Sequence, residues 1–364
     1  MVEVDTLRFR VNPNQPGDPE SRKAIAHAAE ILRNGGLVGL PTETVYGLGA
    51  NAFDATAVAS IFAAKQRPAW DPVIVHIAGP ATPENPMLRR LVTEIPESAR
   101  RLIAAFWPGP LTLLLPRSAA LPDSVTAGRP LVGIRMPANS VAYDVILEAG
   151  VPIAAPSANL FSHTSPTTAE HVLQDLDGRI DAILDAGPAL HGVESTVLDP
   201  TRTPMVIYRP GAVTSDQIRA VAGQVEHFQT SFEPPSKPRE SLPSPGVGIR
   251  HYAPKAQLIL IDAPLADLPQ RLAEAIREQM RVHGGLRVGV MLPAELTASA
   301  EPGPVVFPWG SWAAPEELAR TLYSGLRSLD TQNCAVILCP VPPAEGVGLA
   351  IRDRLRKASW NPKQ

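Results

Sequence analysis

Of the 364 residues, 40 are proline, about 11% and roughly twice the usual share of about 5%. Gly and Pro together (26 and 40 residues) reach about 18%, short of the roughly 25–30% of low-complexity chains, and with 45% hydrophobic residues the composition excludes disorder and favours two packed domains. Thirty-three basic against 36 acidic residues leave a net charge of −3, which excludes a sequence-wide pull toward nucleic acid or anionic membrane and leaves room only for a local basic cleft.

The N-terminus carries Glu3, Asp5, Arg8 and Arg10 where a signal peptide needs an apolar core. From Asp18 the pattern is a capped helix: Pro19 suits the first turn, Ile25, Ala28, Ile31 and Leu32 form a stripe, and Gly35-Gly36 stops it. A buried strand is expected at 37–40, a helix at 54–66, a strand at 73–77, a helix at 96–106, and strands at 111–115 and 132–135. A helix at 140–149, a strand at 153–155, a helix at 168–176, and strands at 182–185, 195–199 and 205–209 follow. The stretch 149–169 lacks charge, but Pro152, Pro156 and Pro166 interrupt it and it does not read as a membrane span.

This mixed α/β domain is expected to cover residues 1–222. Pro234, Pro235, Pro238, Pro243 and Pro245 then fall within twelve residues, so 223–256 reads as a stiff linker able to return over a cleft as a lid. Residues 257–364 resume as strand 257–261, helix 265–281, strand 287–292, a short strand at Val305, helix 315–329, strand 334–339 and helix 347–357. Strands alternating with helices predict a smaller, doubly wound parallel sheet of Rossmann-like type. Cys334 and Cys339, five apart in one strand, point to opposite faces, so a disulfide is not expected and a cytoplasmic setting is the simplest reading.

No G-x-x-x-x-G-K-[ST], G-x-S-x-G or H-E-x-x-H motif is present, and no metal-ligand spacing appears. Gly47-Leu48-Gly49-Ala50-Asn51-Ala52 fits G-x-G-x-x-A but starts six residues after the strand, so its glycines read as serving a close backbone turn. More informative are polar clusters at strand ends: Pro41 to Leu48, Lys65-Gln66-Arg67-Pro68, Asp71-Pro72 with His76, Arg135-Met136-Pro137, Ser157-Ala158-Asn159, Gly192 to Thr196 and Arg209-Pro210-Gly211. Lys65 and Arg67 also suit a helix C-terminus, and Arg135 serves equally as an ion-pair partner or a ligand clamp. Taken together, Lys65, Arg67, Arg135 and Arg209 converge toward one sheet edge with several hydroxyls, which suits a polyphosphate.

These motifs, with Trp107-Pro108-Gly109-Pro110-Leu111-Thr112 and the linker's Ser244-Pro245-Gly246 and His251-Tyr252-Ala253-Pro254, resemble the YrdC-like family of threonylcarbamoyl-AMP synthases in its long, two-domain branch. The resemblance runs in order from about residue 17 to the end. It implies a twisted mixed sheet with flanking helices, followed by the smaller domain. It also implies the reaction: L-threonine, bicarbonate or CO2 and ATP, with Mg2+, give L-threonylcarbamoyl-AMP and pyrophosphate. The product would pass to a separate transferase complex that modifies adenosine 37 of tRNA, and a weak direct tRNA contact is compatible with it.

By the same resemblance Lys65, Arg67, Ser157 and Asn159 form the catalytic nucleotide-binding tetrad, and Asp71, Ser165, Arg209, His251 and Tyr252 are further ATP contacts. Thr44, His76, Arg135, Ala155 and Ser195 match the threonine pocket. No residue stands out as a general base. Two departures appear: Asp71-Pro72 replaces the family's Asn-Pro, placing an anion near the phosphates, and Val247-Gly248-Ile249 replaces the usual continuation of the linker motif. Two other functions compete: a double-stranded RNA or tRNA-binding module, and a carbamoyl-adenylate-forming carbamoyltransferase. The net charge and the lack of RNA-module aromatics oppose the first, and the lack of further transferase domains opposes the second.

Overall fold

The computed structural model describes residues 5–15, 17–228, 244, 252–298 and 303–360. Two compact units are present: Met1–Phe161, Ser165–Leu190 and Glu194–Gly248 form the first, and Ser162–Thr164, His191–Val193 and Ile249–Gln364 form the second.

The first unit begins with β1 (Leu7–Arg10), α1 (Pro19–Arg33), β2 (Val38–Leu40), β3 (Gly47–Asn51), α2 (Ala55–Lys65), β4 (Val75–His76), α3 (Pro86–Leu91), α4 (Glu97–Phe106), β5 (Leu111–Pro116) and α5 (Asp123–Thr126). It continues with β6 (Leu131–Arg135), α6 (Ser140–Ala149), β7 (Ile153–Ala154), α7 (Ala169–Leu176), β8 (Ala182–Asp185), β9 (Thr196–Asp199), β10 (Met205–Arg209), α8 (Ser215–Ala222) and β11 (Val225–His227). Among the described residues its strands order as β1-β8-β2-β3-β7-β4-β6-β5-β9-β10-β11, with parallel and antiparallel pairs mixed. This is the mixed sheet the sequence predicts.

Alternation along the strands explains its burial on both faces. In β8, Ile183 joins one apolar cluster while Ala182 and Leu184 join another. The second cluster takes the stripes of α1 (Ala24, Ile25, Ala28, Leu32) and α6 (Val141, Val145, Ile146). Helix α1 starts as its sequence dictates: the Asp18 carboxylate accepts from the N–H groups of Glu20 and Ser21, and Gly35 at φ +84° follows its end.

The differences from expectation have local causes. Strand β1 is found only by pairing with β8, 175 residues on, and β4 shrinks to two residues. Residues 47–51 are a strand, not a turn: β3 pairs antiparallel with β2, and a Cβ at Gly49 would stand 2.9 Å from both Ile153 Cγ2 and Leu40 Cδ1. The glycines therefore permit close strand packing. Helices α3, α5 and α8 lacked a recognised stripe, and β11 falls inside the stretch read as linker.

The second unit contains β12 (Gln257–Ile261), α9 (Leu268–Val282), β13 (Arg287–Pro293), β14 (Val305–Gly310), α10 (Pro315–Thr331), β15 (Cys334–Pro340) and α11 (Gly348–Ser359). Among the described residues its four strands are parallel in the order β12-β15-β13-β14, the smaller sheet expected. Cys334 and Cys339 are buried free thiols. Among the described residues no helix is long and apolar enough to cross a membrane.

Candidate active site

Lys65 closes α2, and Gln66, in left-handed backbone (φ 53°), turns the chain away. The Lys65 side chain is buried, and its ammonium donates to the carbonyl of Ser157 at 2.5 Å and to that of Asn159. Residues 156–158 are in turn held along β3: Leu48 N–H donates to Pro156 O at 2.7 Å, Ala158 N–H donates to Tyr46 O at 2.8 Å, and Gly47 bridges Ser157. The structure thus brings Lys65, Ser157 and Asn159 together. Burial and the charge of Arg67 press the Lys65 pKa well below its ordinary value, against the pull of Asp175 and Asp71.

Arg67 joins them through Asp71. Its Nη2 lies 2.9 Å from Asp71 Oδ2 and also donates to Pro72 O at 2.9 Å. Burial pushes the Asp71 carboxyl up, opposed by Arg67, Lys65 and Arg209, so these three cations share one field. Asp71 orients the Arg67 guanidinium, a role the sequence reading did not assign. Arg209 donates through Nε to Ser195 O at 3.0 Å and through Nη2 to Ser195 Oγ at 3.1 Å, while Ser195 Oγ lies 2.8 Å from Thr112 Oγ1. Ser165 donates to Glu194 Oε1 at 2.6 Å, tying together two loops that carry site residues.

The other half of the site is charge-balanced. Arg135, at the end of β6, donates to Thr44 Oγ1 at 2.8 Å and to Gly109 O at 3.2 Å, and its Nη2 sits 2.6 Å from Glu43 Oε1. Both members of that pair are buried. Burial raises the Glu43 pKa, but the charge and hydrogen bond of Arg135, with backbone donors at 43 and 138, hold it below the ordinary value. His76 stands directly across from Arg135 in the β4–β6 register; its Nδ1 is buried without a hydrogen bond. Burial first, then the charge of Arg135, lower its pKa to about 3, so the imidazole is neutral. Ala155, hydrogen-bonded to Ile74 O, fills the space where a Cβ on Gly47 would meet its own at 3.3 Å.

Several expectations change here. The cations form two groups instead of one: Lys65, Arg67 and Arg209 share the field of Asp71, while Arg135 pairs with Glu43 across from His76. The site straddles the middle of the strand order because its central strands are so short. Tyr252 belongs to the second unit, buried and stacked on Tyr323 at 5.8 Å with Arg354 5.4 Å from its ring centre. His251, the 245–251 stretch with Val247-Gly248-Ile249, and most of the suggested lid lie outside the described residues. Glu43, Thr112 and Glu194 went without roles. For Glu43 a signal existed, since it is the sole charged residue from 34 to 53. Among the described residues no cluster of three His, Cys, Asp or Glu side chains could hold a metal ion.

Three cations sharing the field of Asp71 beside a charge-balanced Arg135–Glu43 pair, on a mixed sheet, suit an anion-binding α/β enzyme. The comparisons give the family. A family model described as telomere recombination matches residues 30–211, and one described as threonylcarbamoyl-AMP synthase, C-terminal domain, matches 213–359. A threonylcarbamoyl-AMP synthase of Bacillus subtilis is 46% identical over 92% of each chain. One of Pyrococcus abyssi is 42% identical over 92% of this chain and 94% of its own. The crystal structure of Pyrococcus abyssi Sua5 complexed with L-threonine superposes with a TM-score of 0.87 at 40% identity, covering 97% of this chain and 98% of that one. The chain belongs to the threonylcarbamoyl-AMP synthase family.

Proposed function

We propose that the chain makes L-threonylcarbamoyl-AMP from L-threonine, bicarbonate or CO2 and ATP, releasing pyrophosphate, as the first step in forming N6-threonylcarbamoyladenosine at position 37 of tRNA. The observation that carries the reading is the pairing of a cation-rich cluster with a charge-balanced one, in a chain 42–46% identical to synthases over nearly its full length. The balanced cluster suits a zwitterionic amino acid: Arg135 takes the carboxylate, and Thr44 and Ser195 partner the side-chain hydroxyl. Valine, lacking that hydroxyl, leaves buried polar groups unpaired and is rejected on that ground.

The threonine amine adds to CO2, forming the N–C bond of a carbamate and releasing one proton. A carbamate oxygen then attacks the α-phosphorus in line, and the bond to the β-phosphate oxygen breaks to release pyrophosphate. Negative charge builds on the phosphoryl and leaving-group oxygens. Lys65, Arg67 and Arg209 stabilise it, and Ser157, Asn159 and Ser165 fix the nucleotide. Mg2+ accompanying ATP would add electrostatic stabilisation of the phosphate charge to that given by Lys65, Arg67 and Arg209. Asp71 supports the site by orienting Arg67. The enzyme works in the cytoplasm and hands its product to a transferase complex.

Pyrophosphate release measured with ATP and bicarbonate, scanning threonine, serine, valine and carbamoyl phosphate, tests the reading. Release dependent on threonine and bicarbonate is expected. Release with carbamoyl phosphate in place of threonine would favour the carbamoyltransferase. A salt-sensitive tRNA shift without turnover would favour the RNA-binding module.

A further inference from the structure

One face of α10 collects three separated pieces of chain. Arg320, Tyr323 and Arg327 are spaced i, i+3, i+7 and so share a stripe about two turns long, while Leu318, Leu322, Leu326 and Leu329 are buried in the unit's interior. Gly192, at φ +70°, is seated directly on the helix backbone: a Cβ there would lie 2.3 Å from Arg320 Cα and 2.5 Å from Arg320 O. Tyr252 stacks on Tyr323. The Arg327 guanidinium donates to Thr164 O at 2.5 Å, both residues being buried. The same tripeptide is held again by Ala253, whose N–H donates to Ser162 O at 2.9 Å and which bridges His163.

The pieces collected are not arbitrary. Thr164 is followed at once by Ser165, and Val193 by Glu194 and Ser195. Ser165 and Glu194 then hydrogen-bond to each other at 2.6 Å. Holding Thr164 and Gly192 on one helix therefore sets an anchor one residue before Ser165 and two before Glu194. A loop anchored on both sides of its functional residue loses less freedom when ligand arrives.

We propose that α10 is a positioning platform for the two substrate loops, with Arg327 acting on the Ser165 loop and Gly192 on the Ser195 loop. The inference rests on the proposed function, in which Ser165 contacts ATP and Ser195 contacts threonine. Arg327 and Gly192 act through those residues and touch neither substrate.

The test uses the full chain with Arg327→Met, Arg327→Lys and Gly192→Ala. Binding of a non-hydrolysable ATP analogue and of L-threonine is read by calorimetry, with amide exchange across 157–165 and 192–196 and a thermal melt alongside. Arg327→Met is expected to weaken the analogue about tenfold and threonine much less, and Gly192→Ala to do the reverse. Arg327→Lys, which can still donate to Thr164 O, should recover part of the loss. Faster exchange should be confined to the two loops. A folded Arg327→Met protein with unchanged affinities and unchanged exchange overturns the proposal, whatever becomes of Gly192→Ala. If the wild type binds neither ligand, the functional reading fails instead, and the exchange comparison alone decides the platform: faster loop exchange upholds it and unchanged exchange ends it.

Discussion

The two halves of the site handle buried charge in opposite ways. Around Asp71, three cations share a field with few anions, and much of their hydrogen bonding goes to backbone carbonyls: Lys65 to Ser157 and Asn159, Arg67 to Pro72, Arg209 to Ser195. Carbonyls orient a cation without neutralising it, so this half keeps positive potential for an incoming anion. Around Arg135 the charge is cancelled by Glu43 and the neighbouring His76 is neutral. On the proposed function, the first half suits net negative charge and the second a molecule with none, which would seat a polyphosphate and an amino acid side by side.

The sharpest way to break the contrast is to remove charge from the first half. Lys65→Met keeps the stem in its buried channel but deletes the ammonium, and pyrophosphate release should fall by about a thousandfold. Urea unfolding should move little, because a desolvated ammonium is removed along with the hydrogen bonds it makes. A variant with near-normal turnover would mean that the positive potential of this half is not used on the phosphates.

Removing charge from the second half should act on stability instead. Glu43→Gln leaves the Arg135 guanidinium buried without its counter-charge, at a cost of about 3 kcal/mol in urea unfolding. Combining it with Arg135→Met should return much of that loss while abolishing threonine-dependent turnover. If Glu43→Gln is as stable as the wild type, the pair does not balance charge as argued.

Acid sharpens the comparison further. The unfolded His76 imidazole protonates near 6.5, the folded one only near 3. Between those values the unfolded state binds the extra proton, so stability is complete above about pH 6.5 and falls by about 1.4 kcal/mol per pH unit on acidification. Glu43, held below its ordinary value, adds loss of the same sign once pH drops through about 4.5; Asp71, pushed up, works the other way in the other half. Urea midpoints of the wild type and His76→Asn, compared between about pH 7 and pH 5, isolate the imidazole. Equal slopes would show that His76 titrates normally.

How much of this was legible beforehand depended on distance along the chain. Local signals worked: the Asp18 cap, the apolar stripe of α1, and most strands of the mixed sheet could be read directly. The parallel sheet was equally plain, because strand and helix periods alternate without interruption there. Hidden features were long-range ones. Strand β1 is defined by a partner 175 residues away, and Gly49 shows its reason only once Ile153 and Leu40 close on it. For the site, residue types in the motifs pointed to cations and hydroxyls, yet nothing local pairs Glu43 with Arg135 or Ser165 with Glu194. Partners 29 to 92 residues apart are a property of the folded sheet.

The smallest expected effect lies at Ser195, which is bonded to a cation of the first half and proposed to serve the second. Its hydroxyl accepts from Arg209, a cation of the first half, and meets Thr112, while the residue is assigned to threonine in the second. Ser195→Ala removes one hydroxyl from a fully buried position but leaves its backbone carbonyl for Arg209 Nε. The loss should be about 1 kcal/mol, equivalent to roughly fivefold in the KM for threonine. Because Arg209 keeps one of its two anchors, the KM for ATP should rise less. A larger shift for ATP than for threonine would place Ser195 with the phosphates, enlarging the positive half at the expense of the neutral one.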